Sequence, residues 1–312
     1  MKIIKNIKNK KVAKHNDIIK AKGSLSSTAQ KMYSMVISML NKDDVEFQEY
    51  ALNIDSYLEQ IGSSSKNKAF IKEQSEELMS NPFWIDGKLF NWCSYVDIDK
   101  LEGYIVFDIH PKLKPYLLDI KNNFTQYELV NILKLKGNYS PRLYEYFTFR
   151  FKVYKNEYFK KNRKYPRSYT FDVNIEWLRD TYQVSNGYNY ADIKRQIINK
   201  AQDDFIQHTD LKFTYTEQKI GRKVDRLIIT LQENNKGSNN ILKDIKTFIS
   251  YMRKNYINQN IQQDQKTILA ISERGVLYNK RNAKSYSKDD ALKIWKHLYK
   301  LAQEDKLEVI KE

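Results

Sequence analysis

The chain has 312 residues, with 54 Lys and Arg against 38 Asp and Glu and a formal net charge of +16, a balance that points to nucleic acid or another anionic surface. Hydrophobic residues make up 41% and aromatics 13%, which excludes wholesale disorder, and the length suits two domains with a small third. No apolar run approaches ~18 residues, the first eleven residues are charged throughout and Cys93 is the single cysteine, so no membrane-spanning helix, secretory leader, internal disulfide or multi-cysteine zinc site is expected, and a reducing, cytoplasmic setting is.

Residues 1–22 carry eight Lys and one acid, Asp17, and read as a basic N-terminal arm. The first strong helix is expected over Ser27–Leu40. Ser27 with Gln30 reads as a capping box, and Met32, Met35, Val36, Met39 and Leu40 recur at helical spacing. A shorter helix follows from Asn53 to Ile61, stopped by Gly62, and a third runs from Ser65 to before Asn81-Pro82. The period then changes to two. Phe90, Trp92, Ser94, Val96 and Ile98 predict a strand, Leu101–Gly103 a turn, and Tyr104–Ile109 the returning strand. Three helices and a hairpin are the order of a winged helix. Residues 23–130 carry 10 basic and 16 acidic residues, so this half is better placed to meet a protein, or a second copy of itself, than a polyanion.

The order then repeats. Helices are predicted over Gln126–Lys136 and from Ser140, taken as the N-cap ahead of Pro141, through Leu143, Tyr144, Phe147, Phe151 and Tyr154. A basic loop, Lys160–Lys164, and a strand at Tyr169–Val173 come next. Asn174 caps a helix bearing Ile175, Leu178 and Tyr182, and a Ser185-Asn186-Gly187 turn leads to a long helix, Asn189–Gln207. Leu211, Phe213 and Tyr215 alternate, Ile220–Arg222 turns, and Val224–Leu231 returns to complete a wing. Residues 131–240 hold 21 basic and 12 acidic residues, so a polyanion should meet this half first. Beyond a polar stretch, a helix near Ile241–Tyr256, an apolar run Ile268–Ile271 and a last helix begun at Ser287 suggest a small module. Leu292, Trp295, Leu298, Tyr299 and Ala302 share one face of that last helix. The expected class is α+β: a basic arm 1–22, a first winged helix 23–125, a second 126–233, a linker 234–240 and a small C-terminal α/β extension 241–312.

At roughly 100° per residue, Ile193, Ile197, Ile198, Ala201 and Phe205 share one sector of the Asn189–Gln207 helix. Asp192, Arg195, Gln196, Asn199 and Gln202 lie opposite, with Lys194 and Lys200 on the flanks. Arg, Gln and Asn are the side chains that hydrogen-bond guanine and adenine edges in the major groove, whereas a solvated face more usually carries Lys and Glu. Lys194, Arg195, Gln196 and Asn199 are the expected base readers. Lys219, Arg222, Lys223 and Arg226 on the wing, together with Lys200 and the loop residues Lys161, Arg163 and Lys164, are expected to meet phosphates. In the first half, Ser64, Lys66, Lys68 and Lys72 are candidate secondary contacts.

Four segments stand in a telling order: KHNDII at 14–19, NYSPRLYE at 138–145, IKRQIINKA at 193–201, and HTDL at 208–211 with KIGRKV at 219–224. Together they resemble the replication initiator (Rep) proteins of theta-replicating, iteron-type plasmids, which are built from two tandem winged helices. The resemblance covers about residues 12–233. It implies sequence-specific binding of repeated sites in double-stranded plasmid origin DNA, opening of adjacent DNA, and recruitment of the host replication initiator and replicative helicase. It also implies dimerisation through the first winged helix, exchange between homodimer and monomer, and dimers that repress their own gene. Gln196 stands where the family usually has a basic residue, which would change the base read there.

Chemistry of another class lacks its residues. A rolling-circle nicking enzyme needs a Tyr nucleophile and a metal held by closely spaced histidines, but the four His, at 15, 110, 208 and 297, are isolated. No P-loop occurs among the nine Gly. Asp97 and Asp99 beside a turn suit solvated acids better than metal ligands, and Cys93 next to Trp92 suits a packed thiol. The chain is therefore expected to be no enzyme and to need no cofactor or metal. A winged-helix transcriptional repressor needs the same DNA-reading surface and stands as the alternative.

Overall fold

The computed structural model describes residues 1–3, 10–41, 43–63, 68–120, 122–234, 249–250, 252–253, 259–262, 268–272, 276–303 and 308–310. The chain divides into two compact units, 1–234 and 235–312.

The first unit opens with β1 (Lys2–Ile3), β2 (Lys11–His15), α1 (Asn16–Lys20) and α2 (Ser27–Ile37). The N-cap of α2 is Ser26, not Ser27: the Ser26 hydroxyl accepts from the Ala29 amide, and Ser27 is already helical. β3 (Glu49–Asn53) leads into α3 (Ile54–Ile61). Asn53 caps α3 through the Ser56 amide, and Gly62 ends it at φ 69°, a left-handed conformation that penalises any Cβ. After α4 (Lys68–Ser80) comes a small hairpin, β4 (Phe83–Ile85) with β5 (Lys88–Phe90), and then the first wing, β6 (Cys93–Asp97) with β7 (Tyr104–Ile109). Phe90 thus belongs to the extra hairpin and Ile98 lies beyond the strand. Alternation alone merges two hairpins whose apolar positions happen to stay in phase. The sheet runs β1-β3-β7-β6, with β6 at an edge.

α5 (Lys114–Leu117), β8 (Phe124–Glu128) and α6 (Leu129–Leu133) follow. The helix expected over 126–136 therefore begins as strand, and only Leu129–Leu133 is helical. β8 pairs antiparallel with β2, from Lys11↔Glu128 to His15↔Phe124, a partner that local periodicity cannot register. α7 (Ser140–Asn162) takes Tyr139 as its N-cap and places Pro141 in its first turn. It continues through Lys160 and Lys161, which sit in its last turn, where cations suit the exposed carbonyls, rather than in a loop. β9 (Ser168–Asn174), α8 (Ile175–Tyr182), a helix over 190–208, β10 (Leu211–Ile220) and β11 (Lys223–Glu233) complete the second winged helix, with sheet order β10-β11-β9.

One apolar core runs through both winged helices. Phe147, Phe205 and Phe213 meet edge to face at centroid distances of 5.8, 5.1 and 5.3 Å. Residues 11–22 are not a free basic arm, because Val12, Ile18 and Ile19 are buried in this core. Lys14 is buried as well, 2.6 Å from the Glu145 carboxylate, which also accepts from Gln30 and from the Tyr127 hydroxyl. The Arg142 guanidinium donates to the carbonyls of Ala21, Gly23 and Thr181 and lies 4.8 Å from the Tyr182 ring. It therefore ties the N-terminal segment to the second winged helix. Where α6 turns into α7, the Asp204 carboxylate accepts from the amides of Lys136 and Gly137 at 2.9 and 2.7 Å. A Cβ at Gly137 would lie 2.3 Å from Ser140 Oγ and 2.8 Å from Lys200 Cγ, so any other residue here forces those side chains to shift.

The second unit holds β12 (Asn260–Gln262), β13 (Ile268–Ile271), β14 (Leu277–Asn279) and β15 (Glu308–Ile310), joined antiparallel in the order β14-β13-β12-β15. A helix, Lys288–Gln303, starts at Ser287, whose hydroxyl accepts from the Asp290 amide. It buries Trp295 and Leu298, whereas Leu292 is exposed rather than on the core face. The helix expected over 241–256 and the linker residues 235–240 lie largely outside the described residues.

Candidate nucleic-acid interface

The helix over 190–208 is held at its start by a reciprocal capping box. Asn189 Oδ1 accepts from the Asp192 amide and Asp192 accepts from the Asn189 amide, both at 3.1 Å. Between the α-helical ends Tyr190–Asp192 and Lys200–His208, the segment Ile193–Asn199 is π-helical, with i→i+5 bonding. No Gly or Pro marks it in the sequence, and such wider turns recur at functional sites. Ile193, Ile197, Ile198, Ala201 and Phe205 are buried, and Arg195, Gln196, Asn199 and Lys200 are exposed.

The candidate base readers differ in how they are held. The Arg195 guanidinium is 2.9 Å from Asp192 Oδ1, a carboxylate already fixed by the cap. Tyr215 on β10 donates to Asn199 Oδ1 at 2.7 Å, which leaves the amide's two N–H donors for an acceptor on a base. Gln196 has no partner among the described residues. Lys194 is drawn to Glu217 on β10 at 2.8 Å; that hydrogen bond raises the lysine pKa and lowers the glutamate's. Lys194 is therefore a tie between helix and wing rather than a free reader. Gln202 is also used, donating to the Phe213 carbonyl at 2.9 Å.

The wing turns at Gly221, φ 61°, and Arg222, with Ile220 paired to Lys223 and a bulge between Gln218 and Lys219. Lys219, Arg222 and Lys223 are exposed and carry no ion pair among the described residues. Arg226 is not at this tip. It pairs with Asp225 at 2.9 Å and Asp172 at 2.8 Å, so its charge is already neutralised on the sheet.

Sheet register separates the remaining cations. Asn174 stands opposite Arg226, and Ser168 opposite Gln232. At about 3.3 Å per residue the two ends of β9 are ~20 Å apart, with the wing tip about 10 Å further out. Lys161, Arg163 and Lys164, which precede β9, are exposed at the end away from the wing. They do not join the wing cluster.

In the first winged helix, Lys72 is exposed and paired with Glu76 at 3.7 Å, and Glu73 shares that face. Ser64 and Lys66, and the side chain of Lys68, lie outside the described residues. The turn of the first wing is acidic. Asp97 Oδ1 accepts from the amides of Asp99 and Lys100 at 2.9 and 2.8 Å, a self-contained Asx turn. Among the described residues, no cluster of three or more His, Cys, Asp or Glu has a metal-holding arrangement, and no helix is long and apolar enough to cross a membrane. Sequence reasoning missed Tyr215, whose role depends on which strand faces the helix. Alternation from Leu211 carries that strand pattern, but not its register.

The family model described as Initiator Replication protein, WH1 matches residues 11–148, and Initiator Rep protein, WH2 matches residues 174–231, together more than half of the chain. The PI protein of Escherichia coli is 28% identical over 158 residues, or 47% of this chain, and the chain spans about half (49%) of that relative's length. The crystal structure of Pi initiator protein in complex with iteron DNA matches with a TM-score of 0.55 and 18% identity, over 72% of this chain and 98% of that one. At that identity the likeness concerns the fold. Two successive winged helices, each matched by its own initiator model and in the same order, make this chain a member of the plasmid replication initiator (Rep) family.

Proposed function

We propose that the protein binds repeated sites in the double-stranded DNA of a plasmid origin through its second winged helix and so starts replication. One observation carries this: Arg195, Gln196 and Asn199 share an exposed helix face beside a wing tip with three unpaired cations, Lys219, Arg222 and Lys223. The helix enters the major groove, where Arg195 suits guanine O6 and N7 and the Asn199 amide donors suit a purine N7. The wing and Lys200 meet phosphates on either side. That the similar solved protein is in complex with iteron DNA supports repeats as the ligand.

The acidic first winged helix serves self-association, and β6, at a sheet edge, is the surface proposed for pairing two copies. Homodimer–monomer exchange, opening of the origin, recruitment of the host initiator and helicase, and repression of the protein's own gene complete the proposal. No strand cleavage belongs to it. Supercoiled origin DNA with Mg²⁺ should stay closed, and a covalent tyrosyl adduct would overturn that classification.

The deciding experiment supplies this chain to cells carrying a plasmid with the cognate repeats but no initiator gene. Establishment supports the proposal, whereas promoter repression without establishment makes the protein a repressor. In a mobility-shift titration, neutralising about four phosphates should give a log K against log[salt] slope of about −4. A slope near zero would remove the electrostatic part.

A further inference from the structure

β10 holds the reading helix at three successive positions of one strand face. The Phe213 carbonyl accepts from Gln202 at 2.9 Å, the Tyr215 hydroxyl donates to Asn199 Oδ1 at 2.7 Å, and the Glu217 carboxylate takes Lys194 at 2.8 Å. Opposite these three on β11 stand Leu231, Ile229 and Leu227, all buried, so this is the inward face of the sheet. The π-helical turns explain how the grip is possible. In an α-helix, five residues at roughly 100° each would leave Lys194 and Asn199 about 140° apart. With i→i+5 bonding over Ile193–Asn199, five residues make about one turn, and both side chains reach the same strand.

Of the three ties, the one to Tyr215 bears on DNA. Lys194 and Gln202 are occupied by their partners, whereas Asn199 is exposed and its Nδ2 makes no hydrogen bond among the described residues. A carboxamide has two orientations that exchange its oxygen and nitrogen, and they offer opposite groups to a base. The phenol discriminates between them. Its ring packs against the core, and burial raises its pKa above the usual 10, so at neutral pH it keeps its proton and its place. Turning the amide over would leave that proton without its acceptor, a cost the observed orientation avoids. An Asn that pairs with adenine in the usual way lays its oxygen against N6 and its nitrogen against N7. With the oxygen drawn to β10, the N–H donors are left for the base. The edge that matches donors alone is that of guanine, with acceptors at both O6 and N7.

We propose that Tyr215 is a positioning residue for base choice: it fixes the Asn199 carboxamide with its donors outward, and so turns the adenine preference expected of an Asn in the major groove into a preference for guanine. This rests on the duplex-binding proposal and adds to it the base read at one position of the repeat.

The test selects duplexes from a randomised library with the full-length protein and sequences the bound fraction. Asn199→Ala should flatten the preference at one position and so identify it. At that position wild type should favour guanine over adenine by about fivefold or more, the low end for a bidentate contact. Tyr215→Phe keeps the ring and removes only the hydroxyl, and a thermal melt checks that the variant folds. It should shift that one position towards adenine, while the position that Arg195→Ala flattens and the affinity for random duplex stay as in wild type. The proposal is overturned if wild type favours adenine at the Asn199 position, if Tyr215→Phe leaves the guanine preference intact, or if it flattens every position alike, as a merely structural tie between helix and wing predicts. Selection of no sequence by wild type refutes the duplex reading and this proposal with it. Selection in which Asn199→Ala changes no position refutes this proposal alone.

Discussion

Replacing Glu145 with Ala should loosen the first unit far more than the loss of one surface carboxylate would. Glu145 lies in the core and accepts from Lys14 Nζ at 2.6 Å, Gln30 Nε2 at 3.3 Å and the Tyr127 hydroxyl. The Lys14 side chain is only 2% exposed, so its ammonium cannot reach water once the carboxylate is gone. Breaking a buried pair from one side typically costs about 3–5 kcal/mol. At about 2–4 °C per kcal/mol for a unit of this size, the melting temperature should fall by roughly 6–20 °C. Lys14→Met with Glu145→Leu removes both charges and keeps volume. That gain of up to about 4 kcal/mol is offset by about 1–3 kcal/mol for each polar group left without its acceptor, so the double variant should melt near wild type. Urea and thermal unfolding of the full chain, followed by circular dichroism, measure both. The reasoning is refuted if Glu145→Ala melts within about 2 °C of wild type, or if the double variant is less stable than the single one, since the stranded charge would then not be the cost.

Arg195→Ala should cost about 1–3 kcal/mol on a cognate repeat and much less on random DNA, while Arg222→Ala should weaken both alike and reduce the salt slope by about one; equal losses for Arg195→Ala on both DNAs would make that residue a phosphate clamp. Gly137→Ala should destabilise the first unit by about 1–3 kcal/mol, because the new Cβ meets Ser140 Oγ at 2.3 Å and Lys200 Cγ at 2.8 Å; urea unfolding reads this, and no change would mean the turn shifts freely. Glu217 is held below its usual pKa of 4.5 first by its hydrogen bond from Lys194. Its contribution to docking the wing is therefore present above the unfolded pKa and lost as pH falls through the lower folded one. Carboxylate NMR should place the Glu217 midpoint below 4.5, and a midpoint at or above it contradicts the pair. Burial pushes the Cys93 thiol well up, so a thiol reagent at neutral pH should modify it only in unfolded protein.

What the sequence made legible was local. Asn53, Asn174 and Gly62 announce helix ends through their own backbone chemistry, and the structure places them there. The apolar stripe of the reading helix survives even the π-helical turns, because Ile193, Ile197, Ile198, Ala201 and Phe205 stay within one broad sector. What escaped was decided by partners distant in the chain. β8 looks helical until β2 pairs with it, and Lys14 looks like part of a basic arm until Glu145 encloses it. The same holds at the interface. Arg226 and Gln202 have suitable side chains but are spent on Asp172, Asp225 and the Phe213 carbonyl, whereas Tyr215 gains a role only because β10 faces the helix. A charge count sees residue types, and only the register shows which of them are already paired.

The docking of residues 11–23 also sets a clock on synthesis. β2 has no partner until β8 exists, Lys14 has no counter-charge for another 131 residues, and Lys22 reaches Asp180 158 residues later. At about 5–20 residues per second, roughly 7–26 s pass between the making of Lys14 and of Glu145. For most of that interval Ile18 and Ile19 are apolar residues beside a strand still without its partner, which is the kind of surface that chaperones hold and aggregates recruit. A ribosome that stalls before residue 145 therefore prolongs the exposure of the earliest-made segment, and one that stalls beyond Thr181 does so far less, because every partner of that segment has by then been made.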